Sequence, residues 1–177
     1  MQRWRVPLGF AGAALFLVLG RPRPLTLLIG GAIAMPGLFL RAWATGYLRK
    51  NDALATAGPY AYTRNPLYLG SFLIGLGFTI AADRIVLGLV LALLFLGIYV
   101  PVMRVESATL AELFGESYQR YAEAVPLFWP RFSPYHDRTG DEPKFDAALY
   151  RRYREYRAAL GLIAALVLLA LKAFYFR

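Results

Sequence analysis

Long apolar runs alternate with short polar connections along most of the chain. Runs of this kind, flanked by arginine and aromatic residues, are typical of helices that cross a lipid bilayer. Several hold fewer uncharged residues than the ~20 that a span usually needs, but flanking Arg, Trp and Tyr side chains can extend each helix by about one turn. The pattern predicts five transmembrane helices, at residues 6–20, 25–40, 67–82, 85–103 and 158–176. Four spans followed by a last helix in the membrane interface is the alternative.

Composition supports a membrane protein. The chain has 177 residues, 58% of them hydrophobic and only 18% charged, with a mean hydropathy of +0.45. A soluble domain carries about 25% charged residues. We expect one all-α transmembrane domain over residues 1–177, because the helices of a small bundle are not stable apart from one another. No small-residue cleavage site follows the first apolar run, which is therefore expected to be retained.

Asp83 and Arg84 alone separate the third and fourth predicted spans. Two helices joined so tightly must form an antiparallel hairpin, so the polar segments at its two open ends lie on one side of the membrane. These segments cover residues 41–66 and 104–157. With them inside, 15 Lys and Arg residues lie on the inner side and 5 on the outer side. The positive-inside rule therefore predicts a cytoplasmic polar face, in the inner membrane of a bacterium.

The remaining composition excludes several classes of function. The net charge of +9 comes from arginines that flank apolar runs, and no basic stretch resembles a nucleic-acid reading module. Cysteine is absent and His136 is the only histidine, so thiolate chemistry is excluded and a histidine-based metal site or triad is improbable. We expect neither a nucleic acid nor a metal as a partner.

The loop before the third span holds three tyrosines, two prolines and one arginine between Gly58 and Gly70. Gly58-Pro59 is a turn signal. Asn65 can act as a helix N-cap, with Pro66 at the first helical position, where its missing N–H costs nothing. The loop is thus predicted to be a shaped polar segment that starts an apolar helix. An ordinary interfacial loop with tyrosines at headgroup level is the alternative reading.

A second polar group follows the fourth span and contains Arg104, Glu106, Tyr118 and Tyr121. Glu106 lies at the end of a long apolar helix, where an acidic residue is costly unless it is paired, so it is a functional candidate. A simple ion pair with Arg104 or Arg64 is the alternative.

Three further features have local predictions. Gly115 is expected to stop or break the helix that follows Arg104. The four arginines between Tyr150 and Arg157 are expected to anchor the start of the last span on anionic lipid. Small residues at Gly70, Ser71, Gly75 and Gly77 permit close helix contact.

Two blocks together resemble the isoprenylcysteine carboxyl methyltransferase and phospholipid methyltransferase superfamily. The first is Gly58-Pro-Tyr-x-Tyr-x-Arg-x-Pro-x-Tyr-x-Gly70, and the second is Arg104-x-Glu106-x-x-x-Leu110-x-x-x-Phe114-Gly-x-x-Tyr118-x-x-Tyr121-x-x-x-Val125-Pro126. The resemblance covers about residues 58–131. Asn65 stands where the family usually has histidine, and Ser107 where it usually has a second glutamate.

The resemblance implies an integral membrane enzyme that binds S-adenosylmethionine in a cytosol-facing pocket and methylates a lipophilic acceptor. The loop before the third helix and the C-terminal block would form that pocket. Arg64, Arg104 and Glu106 are then the expected catalytic residues. Residues expected to bind the cofactor are Pro59, Tyr60, Arg64, Asn65, Pro66, Tyr68, Glu106, Tyr118 and Tyr121.

The chemistry suits these residues. Glu106 can hold the ammonium group of the cofactor, Arg64 or Arg104 its carboxylate, and the tyrosines can offer ring faces to its sulfonium. Methyl transfer depends chiefly on alignment, which can supply ~7–11 kcal/mol, so the lack of a catalytic histidine or cysteine is no objection. Three alternatives stay open: a membrane reductase similar to the sterol reductases, a non-catalytic protein with the same fold, and a structural bundle with interfacial tyrosines.

Overall fold

The computed structural model describes residues 18–49, 52–136 and 143–175, and within these ranges the chain is helical, without strands. All but the last three residues of the first predicted span, 6–20, lie outside the described residues. The helices are α1 (Pro24–Thr45), α2 (Pro66–Ala82), α3 (Ile85–Leu94), α4 (Val100–Ala124), α5 (Ala147–Arg152) and α6 (Tyr156–Tyr175). A 3₁₀ turn at Gly58–Ala61 precedes α2, and a π-helical turn at Phe95–Tyr99 joins α3 to α4.

In the part of the chain that the structure describes, three helices are long and apolar enough to cross a membrane. They are α1, which contains the predicted span 25–40, the continuous helix Ile85–Ala124, which contains the predicted span 85–103, and α6, which covers residues 158–175 of the span predicted at 158–176. The predicted span at 67–82 corresponds to α2, which is apolar but has only 17 residues. The structure therefore confirms an all-helical protein with three candidate spans, and five spans stay a prediction.

The continuous helix Ile85–Ala124 extends beyond the predicted span of residues 85–103. Its 40 residues extend about 60 Å at 1.5 Å per residue, about twice the hydrocarbon thickness of a bilayer. The helix does not end at Met103, where its apolar part ends, but continues through Arg104 and Glu106. Gly115 interrupts it with φ 53° and ψ −128°, which confirms the predicted break. A side chain would meet nothing within 4 Å there, so glycine is required by the backbone conformation rather than by space.

The predicted hairpin of α2 and α3 is present. Asp83 ends α2 in the left-handed conformation, with φ 52°, and α3 begins two residues later. A Cβ added at Gly75 would lie 2.7 Å from Leu91, and one added at Gly88 would lie 3.2 Å from Thr79. Because these contacts pair an early residue of one helix with a late residue of the other, the two helices are antiparallel.

Glycines bring α1 and α2 into backbone contact. A Cβ at Gly37 would lie 2.6 Å from the carbonyl oxygen of Gly70, and one at Gly30 would collide with the carbonyl oxygen of Gly77. In both helices the two glycines are seven residues apart, which places them on one face two turns apart. Small residues at such positions let helices approach closely in a membrane, where apolar side chains gain little by leaving lipid. This contact confirms the prediction for Gly70 and Gly77.

We expect Gly77→Ala to lower the free energy of unfolding by about 1–3 kcal/mol, because the added methyl group would overlap Gly30 backbone and Ala34. Gly161→Ala is the matched control, since it adds the same group to α6 where nothing lies within 4 Å. Thermal unfolding of both variants in detergent measures the difference. Equal melting temperatures would show that α1 and α2 do not pack through their glycines.

Candidate active site

The loop before α2 is hydrogen-bonded along its length to the segment that follows α4. The backbone N–H of Arg64 donates to Pro126 O at 3.0 Å. In the opposite direction, the N–H of Arg131 donates to Tyr62 O at 2.9 Å and that of Tyr135 to Ala61 O at 2.9 Å. The hairpin of α2 and α3 and the long α4 therefore bring the two motif blocks together, as predicted.

Side chains reinforce this loop pairing. Thr63 Oγ1 donates to Phe128 O at 2.8 Å, and Tyr121 OH donates to Tyr60 O at 2.7 Å. Asn65 takes the N-cap position with Pro66 at the first helical position, as predicted, but its side chain does not cap α2. Its Nδ2 instead donates to Leu127 O at 2.9 Å. The predicted N-cap position of Asn65 is confirmed, and its amide group bonds the opposite segment instead of the first turn of α2.

Six of the residues expected to bind a cofactor lie mostly beneath the surface. They are Pro59, Tyr60, Asn65, Pro66, Tyr118 and Tyr121, and none is more than 9% exposed. Burial raises the pKa of Tyr60 and that of Tyr121 well above the usual value, and the charge of Glu106 raises the pKa of Tyr60 further. Both phenols therefore stay protonated near neutral pH. In this structure these residues shape and support the loop.

Arg64 has an unsatisfied donor. Its Nη1 donates to Tyr118 OH at 3.2 Å, and its Cζ lies 6.0 Å from the centroid of the Tyr118 ring. Its Nε is buried and has no hydrogen-bond partner. A buried donor without an acceptor costs about 1–3 kcal/mol, and more when the group is charged. An anionic ligand would satisfy it.

Glu106 lies exposed on α4 and accepts a hydrogen bond from Tyr68 OH at 3.3 Å. Within the described ranges, neither Arg64 nor Arg104 lies within the 4.0 Å that defines an ion pair with it, so the simple ion pair considered as an alternative does not form. Arg104 is also exposed and lies two residues away, on a different side of the helix. The structure therefore brings Tyr68, but not Arg104, to Glu106.

An aromatic cluster adjoins Tyr68 and reaches from the helices to the segment after α4. Tyr68 meets Tyr99 edge to face at 5.8 Å, and Tyr99 stacks on Phe95 at 5.7 Å. The π-helical turn places both of these rings. The cluster continues through Phe72, Phe128 and Trp129, with centroid distances of 4.8 to 6.4 Å. The sequence analysis missed this cluster, although aromatic residues four apart at 68 and 72 and at 95 and 99 are a signal for it.

An ion pair that the sequence pattern does not predict joins Arg41 and Glu155, which are 2.7 Å apart and mostly buried. No local pattern connects two residues 114 positions apart.

A cavity of about 620 Å³ lies at the opposite end of the bundle from the loop pairing. Its lining includes Leu19, Arg21, Arg84 and Lys172, and none of the predicted site residues. Arg84 Nε donates to Leu19 O at 3.0 Å and Lys172 Nζ to Val18 O at 2.9 Å, so these two cations bind backbone carbonyls there. We therefore place the candidate site at the loop pairing and not in this cavity.

No group of three or more His, Cys, Asp and Glu side chains able to hold a metal occurs in the part of the chain that the structure describes.

Residues 25–117 match the phospholipid methyltransferase family, which is more than half of the chain. The chain belongs to this family. The match includes the loop before α2 and Glu106, and it confirms the resemblance found in the sequence. It ends before Tyr118, Tyr121 and the segment that completes the loop pairing.

Curated relatives carry two kinds of name. A cobalt-zinc-cadmium resistance protein of Cupriavidus metallidurans is 37% identical over 142 residues, which is 75% of this chain and 64% of the relative. A nickel-cobalt-cadmium resistance protein of Alcaligenes xylosoxydans xylosoxydans is 38% identical over 52% of this chain and 44% of the relative. A protein-S-isoprenylcysteine O-methyltransferase of Schizosaccharomyces pombe is 35% identical over 44% of this chain and 33% of the relative.

The chain thus spans between one third and two thirds of the length of these relatives. No solved structure matches it.

We expect Tyr121→Phe to lower the free energy of unfolding by about 1–3 kcal/mol, because the buried carbonyl oxygen of Tyr60 would lose its donor. Tyr175→Phe is the control, since that side chain is 79% exposed at the end of α6. Thermal unfolding followed by tryptophan fluorescence tests this. A Tyr121→Phe protein as stable as the control would mean that the Tyr121 hydroxyl does not help to hold the loop.

Proposed function

We propose that this protein is an integral membrane methyltransferase that moves a methyl group from S-adenosylmethionine to a lipophilic acceptor. Membership of the phospholipid methyltransferase family supports the reaction class. The observation that carries the proposal for this chain is the buried, unpartnered Nε of Arg64. Arg64 belongs to the loop pairing, and four residues after it Tyr68 bonds Glu106.

The residues present fit the amino-acid end of the cofactor. Arg64 Nε would donate to its carboxylate, and the exposed carboxylate of Glu106 would accept from its ammonium group. The rings of Tyr68 and Tyr99, which already meet edge to face, would offer electron-rich faces to a sulfonium. When bound, the cofactor supplies an electrophilic methyl group. The protein supplies alignment and exclusion of water, which is the larger requirement in a displacement of this kind.

The aromatic cluster favours a lipophilic acceptor. The rings of Phe72, Phe95 and Phe128 pack together, and Tyr99 connects them to Tyr68, the partner of Glu106. An isoprenylcysteine carboxylate or a phospholipid amine would both suit this cluster. A carboxylate needs no base, whereas an amine must lose a proton, for which Glu106 is the nearest candidate.

The two departures from the family pattern are compatible with this proposal. Asn65 uses an amide N–H to hold Leu127 O, which is a bond that a histidine ring N–H can also make. Ser107 lies beside Glu106 on α4, so this chain has one negative charge fewer there than the family pattern. Glu106 itself is present and bonds Tyr68.

The charge distribution supports a cytoplasmic site in a bacterial inner membrane. The loop pairing, Glu106 and the basic segment around α5 all belong to the arginine-rich side of the predicted topology.

Binding of S-adenosylhomocysteine to the purified protein in lipid nanodiscs, measured by calorimetry, tests the proposal. We expect binding to the unmodified protein. Glu106→Ala should weaken it by about 10-fold to 100-fold, which corresponds to the ~1.5–3 kcal/mol of a hydrogen bond to a charged group. Tyr62→Ala should weaken it less.

Glu112→Ala is the matched control, because Glu112 is an exposed carboxylate on the same helix. Absence of binding to the folded, unmodified protein would refute the methyltransferase proposal. Binding of a nicotinamide cofactor in its place would favour the reductase alternative.

A further inference from the structure

Arg41 and Glu155 form a two-pronged ion pair between α1 and the turn that precedes α6. Arg41 Nη2 donates to both carboxylate oxygens of Glu155, at 2.7 and 2.9 Å, and Nε donates to one of them at 3.1 Å. The side chains are 22% and 13% exposed. Such fork-like pairs are the most directional ion pairs in proteins, and a mostly buried one is costly to break from one side.

The same guanidinium also holds the first turn of α2. Arg41 Nη1 donates to Ser71 Oγ at 2.6 Å and to Leu67 O at 3.3 Å, and Ser71 Oγ donates to Leu67 O at 2.9 Å. Leu67 directly precedes Tyr68, the residue that contacts Glu106. Arg41 is therefore the side chain that connects the C-terminal part of the chain to the turn bearing Tyr68.

The segment that carries Glu155 is itself fixed against the end of α1. Asp146 N–H donates to Gly46 O at 2.9 Å, and Phe145 meets Tyr47 edge to face at 6.2 Å. Arg154 takes a left-handed conformation, with φ 57°, and so forms the turn that directs Glu155 back towards the bundle. The position of Glu155 is thus set by the contacts of residues 145 and 146 with the end of α1 and by the turn at Arg154.

This pair lies close to the candidate site, because Arg41 bonds Leu67 and the next residue, Tyr68, bonds Glu106. Burial is the main cause of the raised pKa of Tyr60, and the charges of Glu106 and Glu155 add to it, while Arg41 opposes it. The charges of Glu106 and of the Arg41–Glu155 pair therefore both act on Tyr60.

We propose that Arg41 and Glu155 are positioning residues of the methyltransferase site, which fix the first turn of α2 so that Tyr68 meets Glu106. The inference rests on the proposed function. It makes residues 143–157, which lie beyond the family match, part of the site. It also gives Arg41 a role in the site besides its contribution to topology.

The competing explanation is that the Arg41–Glu155 pair only stabilises the fold. The test therefore compares destabilised variants that lack the pair with a destabilised variant that keeps it. Arg41→Gln and Glu155→Gln each remove one charge, and the double variant removes both. Leu87→Ala is the reference, because it empties a fully buried position on α3 and leaves both the pair and the α1–α2 contact unchanged. Arg120→Gln and Glu123→Gln are controls at exposed positions on α4.

Hydrogen exchange of the amides in the first turn of α2 is the readout that needs no ligand. We expect at least tenfold faster exchange at Leu69, whose N–H bonds to Asn65 O, in Arg41→Gln and Glu155→Gln but not in Leu87→Ala. The affinity for S-adenosylhomocysteine should fall about tenfold in each single variant. It should fall no further in the double variant, because the two residues act as a unit.

The outcomes separate this inference from the proposed function. If the unmodified protein binds no S-adenosylhomocysteine, the proposed function fails, and the exchange data decide whether the pair fixes α2. If it binds and the pair variants show unchanged exchange and affinity, the inference is overturned. Equal losses in Leu87→Ala and in the pair variants would overturn it as well, since they would indicate stability alone.

Discussion

The loop pairing between residues 61–65 and 126–135 is the constraint on which the rest of the structure depends. Both segments are irregular, so their backbone groups cannot satisfy one another within a helix, and buried groups of this kind must find partners elsewhere. They find them in each other, through Arg64, Tyr62 and Ala61 on one side and Pro126, Arg131 and Tyr135 on the other. The pairing requires a tight hairpin that brings the chain back to the side of the loop before α2. It also requires a helix that extends past its apolar part before the chain turns back towards that loop. The short Asp83-Arg84 connection and the 40-residue helix meet these two requirements.

Two further contacts turn this pairing into a defined site. Glycines at 30, 37, 70 and 77 allow α1 to lie against α2 closely enough for Arg41 to reach Leu67 and Ser71. The aromatic cluster fixes the other side of α2 through Phe72 and Tyr99. Arg64 and Glu106, which we propose contact the cofactor, are thus carried by elements that are held on several sides, and alignment for methyl transfer requires such support.

Much of this arrangement could be predicted from the sequence, because hydropathy and motif spacing are local signals. The Asp83-Arg84 hairpin, the convergence of the two blocks and the break at Gly115 are confirmed. The predicted span 85–103 is the apolar part of a helix that continues to Ala124, since hydropathy marks the apolar stretch of a helix and not its end. The side-chain partner of Asn65, the π-helical turn at Phe95–Tyr99 and the Arg41–Glu155 pair could not be predicted, because each depends on groups that are distant in sequence or on the local helix register.

The location of the cofactor is the central claim, and photochemical cross-linking tests it most directly. The protein in nanodiscs would be irradiated with S-adenosylmethionine carrying a radioactive methyl group, then cleaved, and the labelled peptides identified by mass spectrometry. We expect label on peptides from residues 58–70 and 104–131, and we expect this label to disappear when unlabelled S-adenosylhomocysteine is added in excess. Label confined to the opposite end of the bundle, around residues 18–22 and 84, would contradict it.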